Sequence, residues 1–369
     1  MTAPPPVFDA VVAGGGPAGA VAALVLARAG HRVRLLDDGG PGWDGFKIGE
    51  FLPPAVRPLL ADLRLLDGFL ASGHPASTGT YAAWGSARLH GRSHLFDPYG
   101  PGWHLDRLRF DAFLREAAVA AGADLRRARV LDRAADGRLV VRERGRVTEL
   151  AARWTVDATG RRCVIGRRSG RRRRQDRLVA AYAVFPGGDP EARTLVEATA
   201  DGWWYTTPVP AGRLVAHLTD TDLADPALRT PQGFRAALGR TDHVRRRVVE
   251  GGPGSTPVPR WAPAHGLRLT PSAGPGWVAT GDAALAFDPL SSQGILTALH
   301  TGARAGRAVA GCLADERRTE TVLADYAALL DGIADAYRRN HAYAYDEERR
   351  WPASPFWARR RGAADPGRA

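Results

Sequence analysis

The chain has few cysteines, one lysine and no long apolar run. Its 369 residues include 2 cysteines, Cys163 and Cys312, which excludes a disulfide framework and fits a reducing, cytoplasmic setting. No apolar stretch reaches the length that crosses a bilayer, so a soluble chain with no membrane partner is expected. The small apolar stretch Ala18 to Ala29 follows a glycine turn and has no basic segment before it, which argues against a secretory signal. Lys47 is the only lysine, so the formal net charge of +12 is carried by arginine, clustered at Arg161 to Arg177, Arg245 to Arg247 and Arg338 to Arg361. Such charge attracts nucleic acid or acidic partners. No helix-turn-helix, zinc-finger or RNP pattern converts it into nucleic-acid readout, and no metal is expected. Arginine on solvated faces is the expected reading, and nucleic acid is not an expected partner.

What is present is concentrated at Val7 to Asp38. An apolar run, Val7 to Ala13, breaks into Gly14-Gly15-Gly16-Pro17-Ala18-Gly19. A small-residue stretch follows to Ala29, then Gly30 and a second apolar run ending in Asp37. The pattern predicts strand, tight turn, helix, strand. Gly14 permits the turn, Gly16 admits a pyrophosphate, and Gly19 lets helix and strand pack closely. The N–H groups at the helix start, around Pro17-Ala18-Gly19, then face phosphates together with the helix dipole, and Asp37 is placed to accept ribose hydroxyls.

Further on, Gly39 to Pro54 is too rich in glycine and proline for regular structure. Helices are expected over Ala55 to Leu66, Leu105 to Ala121 (N-capped by Asp106), Phe234 to Val249, Gln293 to Leu313 and Val322 to Tyr345. Thr78 to His90 reads as a strand pair turning at Gly85-Ser86. Strands are expected at Asp124 to Leu131, Leu139 to Arg142, Val147 to Leu150 and Arg153 to Asp157, then at Tyr182 to Phe185, Thr194 to Glu197, Trp203 to Val209 and Arg213 to Thr219. Trp277 to Gly281 is a late buried strand. The first strand must be rejoined by Arg153 to Asp157 and Trp277 to Gly281, which predicts an α/β fold. A three-layer parallel sheet takes an inserted antiparallel-sheet substrate domain and ends in C-terminal helices. The expected division is 1–76, 105–176 and 263–315 for the nucleotide domain, 77–104 and 177–262 for the substrate sheet, and 316–369 for the Arg- and aromatic-rich end.

Three more stretches bear on chemistry. Thr155 to Gly160 (TVDATG) brings Thr159 and Gly160 beside a nucleotide seated on the first strand. In Gly276 to Ile295, Asp282 stands at a strand end where it can hold a ribitol hydroxyl. Pro289 stiffens the next bend, and Ser292 and Gly294 open a helix whose N–H groups point at an electron-rich ring edge. Arg107 lies in the first turn of the helix beginning at Leu105, within reach of flavin or pyrophosphate or on a solvated face.

With GGGPAG, DATG, the Arg107 helix and GDAALAFDPLSSQG in this order, the chain resembles the glutathione-reductase-type FAD fold of aromatic hydroxylases, geranylgeranyl reductases and flavin-dependent halogenases. Gly49-Glu50, Leu52-Pro53-Pro54, the run Gly202 to Pro208 and the ending Arg350 to Trp357 lean to the halogenase-like branch. GEFLPP, AAWGS and GWHLDR are similar to flavoprotein maturases that oxidise protein-bound tryptophan. The resemblance implies FAD as cofactor, O2 as co-substrate, and NAD(P)H used directly or through a partner flavin reductase. It implies hydroxylation of an indole or phenol, free or peptide-bound, through a C4a-hydroperoxyflavin.

Halogenases of this branch need a lysine on the strand after the Gly-Glu loop, and Ser77 to Trp84 has none, so halogenation is the minor reading. Leu285 stands where single-component hydroxylases carry histidine. A double-bond reductase, and a basic flavoprotein that binds RNA or an acidic partner, are also compatible with the pattern and rank below the oxygenase. Trp84, Trp203, Trp204 and Tyr205 are expected to wall a dry substrate cavity, or else to be ordinary sheet packing. His104, just before the Arg107 helix, is the expected proton handler, or else a histidine that caps a strand end. Glu50 is expected to meet flavin or to cap a helix near Pro54.

Overall fold

The structure is a computed structural model that describes residues 8–39, 46–94, 96–187, 189, 191–248 and 257–361. The opening pattern becomes β1 (Phe8–Ala13), α1 (Pro17–Arg28) and β2 (Val33–Asp37). β1 is the centre of an eight-stranded sheet. It pairs in parallel with β2 on one side and with Ala152–Asp157 on the other, and Ala152–Asp157 pairs in parallel with Trp277–Ala279. Strands from distant parts of the sequence are therefore neighbours, and their carboxyl ends open on one edge where ligands of such sheets bind.

Close packing at that edge explains the glycines. Gly14 has φ +105, and a Cβ there would lie 2.2 Å from the Ala158 carbonyl oxygen. At Gly19 a Cβ would lie 1.8 Å from the carbonyl oxygen of Gly14. Turn, helix and the Asp157-Ala158-Thr159 strand end are thus in backbone contact. Gly16 differs, because a Cβ there meets nothing within 4 Å.

A second sheet of seven strands runs Arg260–Pro263, Leu178–Phe185, Gly212–Asp220, Gly202–Val209, Thr194–Thr199, Gly79–Ala83, His90–Ser93. It is antiparallel except between Thr194–Thr199 and Gly79–Ala83. Gly294–Ala314 packs on α1, and Thr319–Asp346 and Pro355–Arg361 follow it. In the last element Phe356 and Trp357 are fully buried against the second sheet.

Several expected elements differ. The Ala55 to Leu66 helix is a short turn (Pro54–Val56), a helix (Arg57–Asp62) and a separate helix (Leu66–Ala71), because Arg64 takes φ +50 and breaks the ladder. The Phe234 helix covers Pro231–Leu238 and ends before Gly239. Val244–Arg247 is a 3₁₀ turn, and Val249 lies outside the described residues. The expected loop to Pro54 contains a two-residue strand, Phe51–Leu52, paired with Gly102–His104. Among the described residues no helix is long and apolar enough to cross a membrane.

Candidate active site

One cavity of about 1200 Å³ runs from the β1–α1 turn to the inner face of the second sheet. Gly14, Gly16, Pro17, Ala18, Asp37, Glu50, Arg107, Thr159, Gly160, Asp282, Pro289, Ser292 and Gly294 all line it, as do Trp84, Trp203 and Tyr205. Gly19 lies behind the turn and packs it. The fold therefore gathers segments spread over nearly the whole chain.

Its first end is a helix N-terminus with no side-chain cap, where Pro17 occupies the first turn and Gly16 leaves open space in front. Orphan N–H groups there attract an anion. Asp37 stands at the end of β2, beside Gly15 and 3.3 Å from Arg115 Nη1. Across the sheet edge, Asp282 lies 3.5 Å from Arg161 Nε. The segment Pro289–Ser291, with Ser292 at φ +51, leads into the uncapped N-terminus of the 21-residue helix Gly294–Ala314. Two uncapped helix ends thus open on the same cavity.

Thr159 shapes the strand end with its own hydroxyl, which donates to Asp157 Oδ1 (2.6 Å) and accepts from Val164 N. Asp157, fully buried, also accepts from the N–H groups of Thr159, Ile165 and Gly166.

Arg107 is not on a solvated face. It is buried, its guanidinium donating to the carbonyls of Gly49 (2.7 Å) and Ile48 (3.3 Å) and to Asp111, one turn along its own helix. Lys47 reaches Asp111 Oδ2 at 2.6 Å. Burial pushes the Asp111 carboxyl up, but the charges of Arg107 and Lys47 outweigh it and hold the group below the usual carboxylate range. Arg107 therefore pins the Ile48–Glu50 segment against the cavity. Glu50 is buried and caps no helix; its Oε2 accepts from Gly49 N at 2.9 Å, and it lines the cavity together with Tyr205.

The aromatic wall needs one correction. Side chains alternate along a strand, so Trp203 and Tyr205 face the cavity while Trp204 points to the opposite side of the sheet. There it stacks on His217 at 4.5 Å and meets Phe234 edge-on. Trp84 completes the wall, with its indole N–H donating to Ala344 O. Trp203 donates to Tyr345 Oη, and Tyr345 donates to Asp288 Oδ2 at 2.7 Å. Trp357 stands edge-on to Trp84 at 5.3 Å. The C-terminal helices thus brace the wall from behind.

His104 is also corrected. It does not line the cavity: both ring nitrogens are engaged by Ala192 O and Thr207 Oγ1, and the ring is buried. Burial holds its pKa below the usual imidazole range, the Ala192 carbonyl opposes that and Arg213 adds to it. A histidine kept neutral in the fold stabilises fully above the unfolded value of about 6.5 and loses that contribution as pH falls toward the folded value. Urea unfolding is therefore expected to show stability falling as the pH drops below about 6.5. His104→Gln should make that slope shallower, leaving the share of His74, His265 and His300, which burial also holds below the usual range; an unchanged slope would contradict the assignment.

Arg161, Asp111 and Arg115 join the site from outside the motifs that point to it, and Asp288 joins it from within GDAALAFDPLSSQG at a position given no role there. Asp111 has a signal in its spacing of four from Arg107 on an amphipathic helix. The contact of Asp288 with Tyr345 spans 57 residues and leaves no local trace.

The family described as "FAD binding domain" matches residues 8–211, more than half of the chain. The chain belongs to the FAD binding domain family. It is an FAD-dependent oxidoreductase by that membership. It is 29% identical over 366 residues, 96% of each chain, to LodB, a proposed FAD-dependent oxidoreductase of Marinomonas mediterranea. Among solved structures it is similar to the myxobacterial chondrochloren halogenase CndH, with TM-score 0.84, 26% identity, and coverage of 96% of this chain and 86% of that one. It also shares the fold of the peptidyl tryptophan dihydroxylase QhpG, with TM-score 0.80, 23% identity, and coverage of 96% and 78%.

Proposed function

We propose that this flavoprotein is a monooxygenase that inserts one oxygen atom into an electron-rich aromatic ring, an indole or phenol, free or within a peptide or protein. The observation that carries the reading is the continuity of the cavity from the Gly14–Gly16 cradle to the Trp84, Trp203 and Tyr205 wall. The residues fit FAD: Gly16 leaves the space a pyrophosphate needs, and the uncapped end of α1 supplies its donors. Asp37 would take the adenosine ribose and Asp282 the ribitol chain. The first N–H groups after Ser292 would meet the ring edge. Bound and reduced, FAD would supply the electron pair that activates O2. The chain itself would exclude water with its indole wall, orient the substrate ring and hold protons at chosen atoms. Electrons would come from NAD(P)H, directly or through a partner flavin reductase.

Halogenation is the second reading, favoured by the similarity to CndH. Against it, Gly79–Ala83 carries no lysine and Lys47 is held by Asp111. The discriminating experiment supplies reduced FAD, O2 and a panel of indoles, phenols and tryptophan peptides, with and without chloride and bromide. A product heavier by one oxygen atom and independent of halide is expected. Halogenated product with no oxygenated one would overturn the reading.

A further inference from the structure

Two ionisable side chains from separate parts of the fold meet at the cavity surface. Glu50 comes from the segment pinned by Arg107, and Tyr205 from the strand Gly202–Val209; both line the cavity, and Glu50 Oε2 accepts from Gly49 N at 2.9 Å. Glu50 is 4% exposed and has no ion-pair partner among the described residues. Arg107, whose charge bears on Glu50, spends its guanidinium on Asp111 and on the carbonyls of Ile48 and Gly49, and Lys47 is taken by Asp111. A second phenol, that of Tyr182 on the strand Leu178–Phe185, also bears on the pair.

We infer that Glu50 carries the exchangeable proton of this site, in a buried carboxyl held by the Gly49 N–H on the cavity wall it shares with Tyr205, and delivers it to the reacting oxygen. The inference rests on the oxygenase reading. In the net reaction one aromatic C–H, one O2, two electrons and two protons give one aromatic hydroxyl and one water. As the O–O bond breaks and the C–O bond forms, the oxygen that is not transferred takes the proton of Glu50. The ring carbon then loses its hydrogen as a proton, which returns to the Glu50 carboxylate. Glu50 thus ends as it began, and both protons consumed come from solvent, one ending on the new hydroxyl and one completing the water, while the electrons come from reduced FAD. Burial favours the neutral acid, and the N–H of Gly49, the charge of Arg107 and the Tyr205 hydroxyl offset that only in part, so the carboxyl lies above its usual range. A buried acid tuned upward in this way is suited to general acid work near neutrality.

The test uses the FAD-saturated protein. An infrared difference spectrum, wild type minus Glu50→Gln, should show a protonated-carboxyl C=O band at pH 7 that converts to carboxylate only at higher pH. Tyr205→Phe should shift that band. With substrate, Glu50→Gln should lower kcat by about 100-fold or more, with KM and FAD affinity within about threefold of wild type, and Glu50→Asp should recover part of the loss. Absence of the band at pH 7, a wild-type kcat in Glu50→Gln, or a loss confined to FAD affinity would each overturn the inference. If the wild type yields no oxygenated product, the oxygenase reading fails by itself. The band still decides separately whether Glu50 holds the proton.

Discussion

Gly16→Val is expected to leave the fold intact while weakening FAD binding by at least about 100-fold. Gly16 has φ −73 and ψ −176, extended backbone that valine adopts readily, and its Cβ meets no protein atom within 4 Å. The isopropyl group instead fills the space in front of the uncapped end of α1. Losing even one or two N–H contacts to a charged phosphate costs about 3 kcal/mol, which is about 100-fold in Kd. Gly19→Ala is the control with the opposite signature. Its Cβ would sit 1.8 Å from the Gly14 carbonyl oxygen, so the fold itself must give way. FAD titration followed by absorbance, beside thermal unfolding of the apoprotein, separates the two. A Gly16→Val protein that binds FAD like wild type would contradict the cradle.

Arg107→Ala should destabilise the protein by about 3–5 kcal/mol, lowering Tm by roughly 10 °C. The substitution strands the buried Asp111 carboxylate with a single cation and leaves the carbonyls of Ile48 and Gly49 without a donor. It also frees the segment that presents Glu50. Arg107→Lys should rescue little, since one ammonium cannot span a carboxylate and two carbonyls as the guanidinium fork does. The double variant Arg107→Ala/Asp111→Ala should lose less than the sum of the single losses, because the stranded charge is removed with its partner. Additive losses would show that the two side chains act independently. Differential scanning calorimetry of the four proteins makes the comparison.

Most of what is legible in the sequence is fixed by contacts within a few dozen residues. The β1–α1–β2 unit is written in glycine spacing and an acid at the second strand's end. The Asp106 cap, which the sequence pattern predicts, accepts from the N–H groups of Leu108 and Arg109. The order of strands around β1 is also readable, since only a late return of Ala152–Asp157 and Trp277–Ala279 completes a parallel sheet.

What escapes a sequence reading depends on partners far along the chain. The place of His104 before a helix suggests a chemical role, yet its nitrogens belong to Ala192 and Thr207, 88 and 103 residues away. The buttress formed by Tyr345 and Trp357 is equally long-range, reaching Asp288, Trp203 and Trp84. Trp204 is a different kind of miss. The alternation that turns it away from Trp203 and Tyr205 is present in GWWYTTP, and counting by twos along the strand places it on the far face. Arg107 combines both causes: its i+4 partner is visible in the sequence, but the Ile48 and Gly49 carbonyls are not.

FAD is expected to lie along the cavity, its pyrophosphate at Gly16 and its ring between the Ile48–Glu50 and Pro289–Gly294 segments, facing Trp203 and Tyr205. A crystal structure of the protein with FAD tests this most directly. The adenosine ribose is expected at Asp37 and the isoalloxazine within van der Waals reach of those two segments. Density for the ring on another face of the protein, or an adenine where the ring is expected, would contradict it.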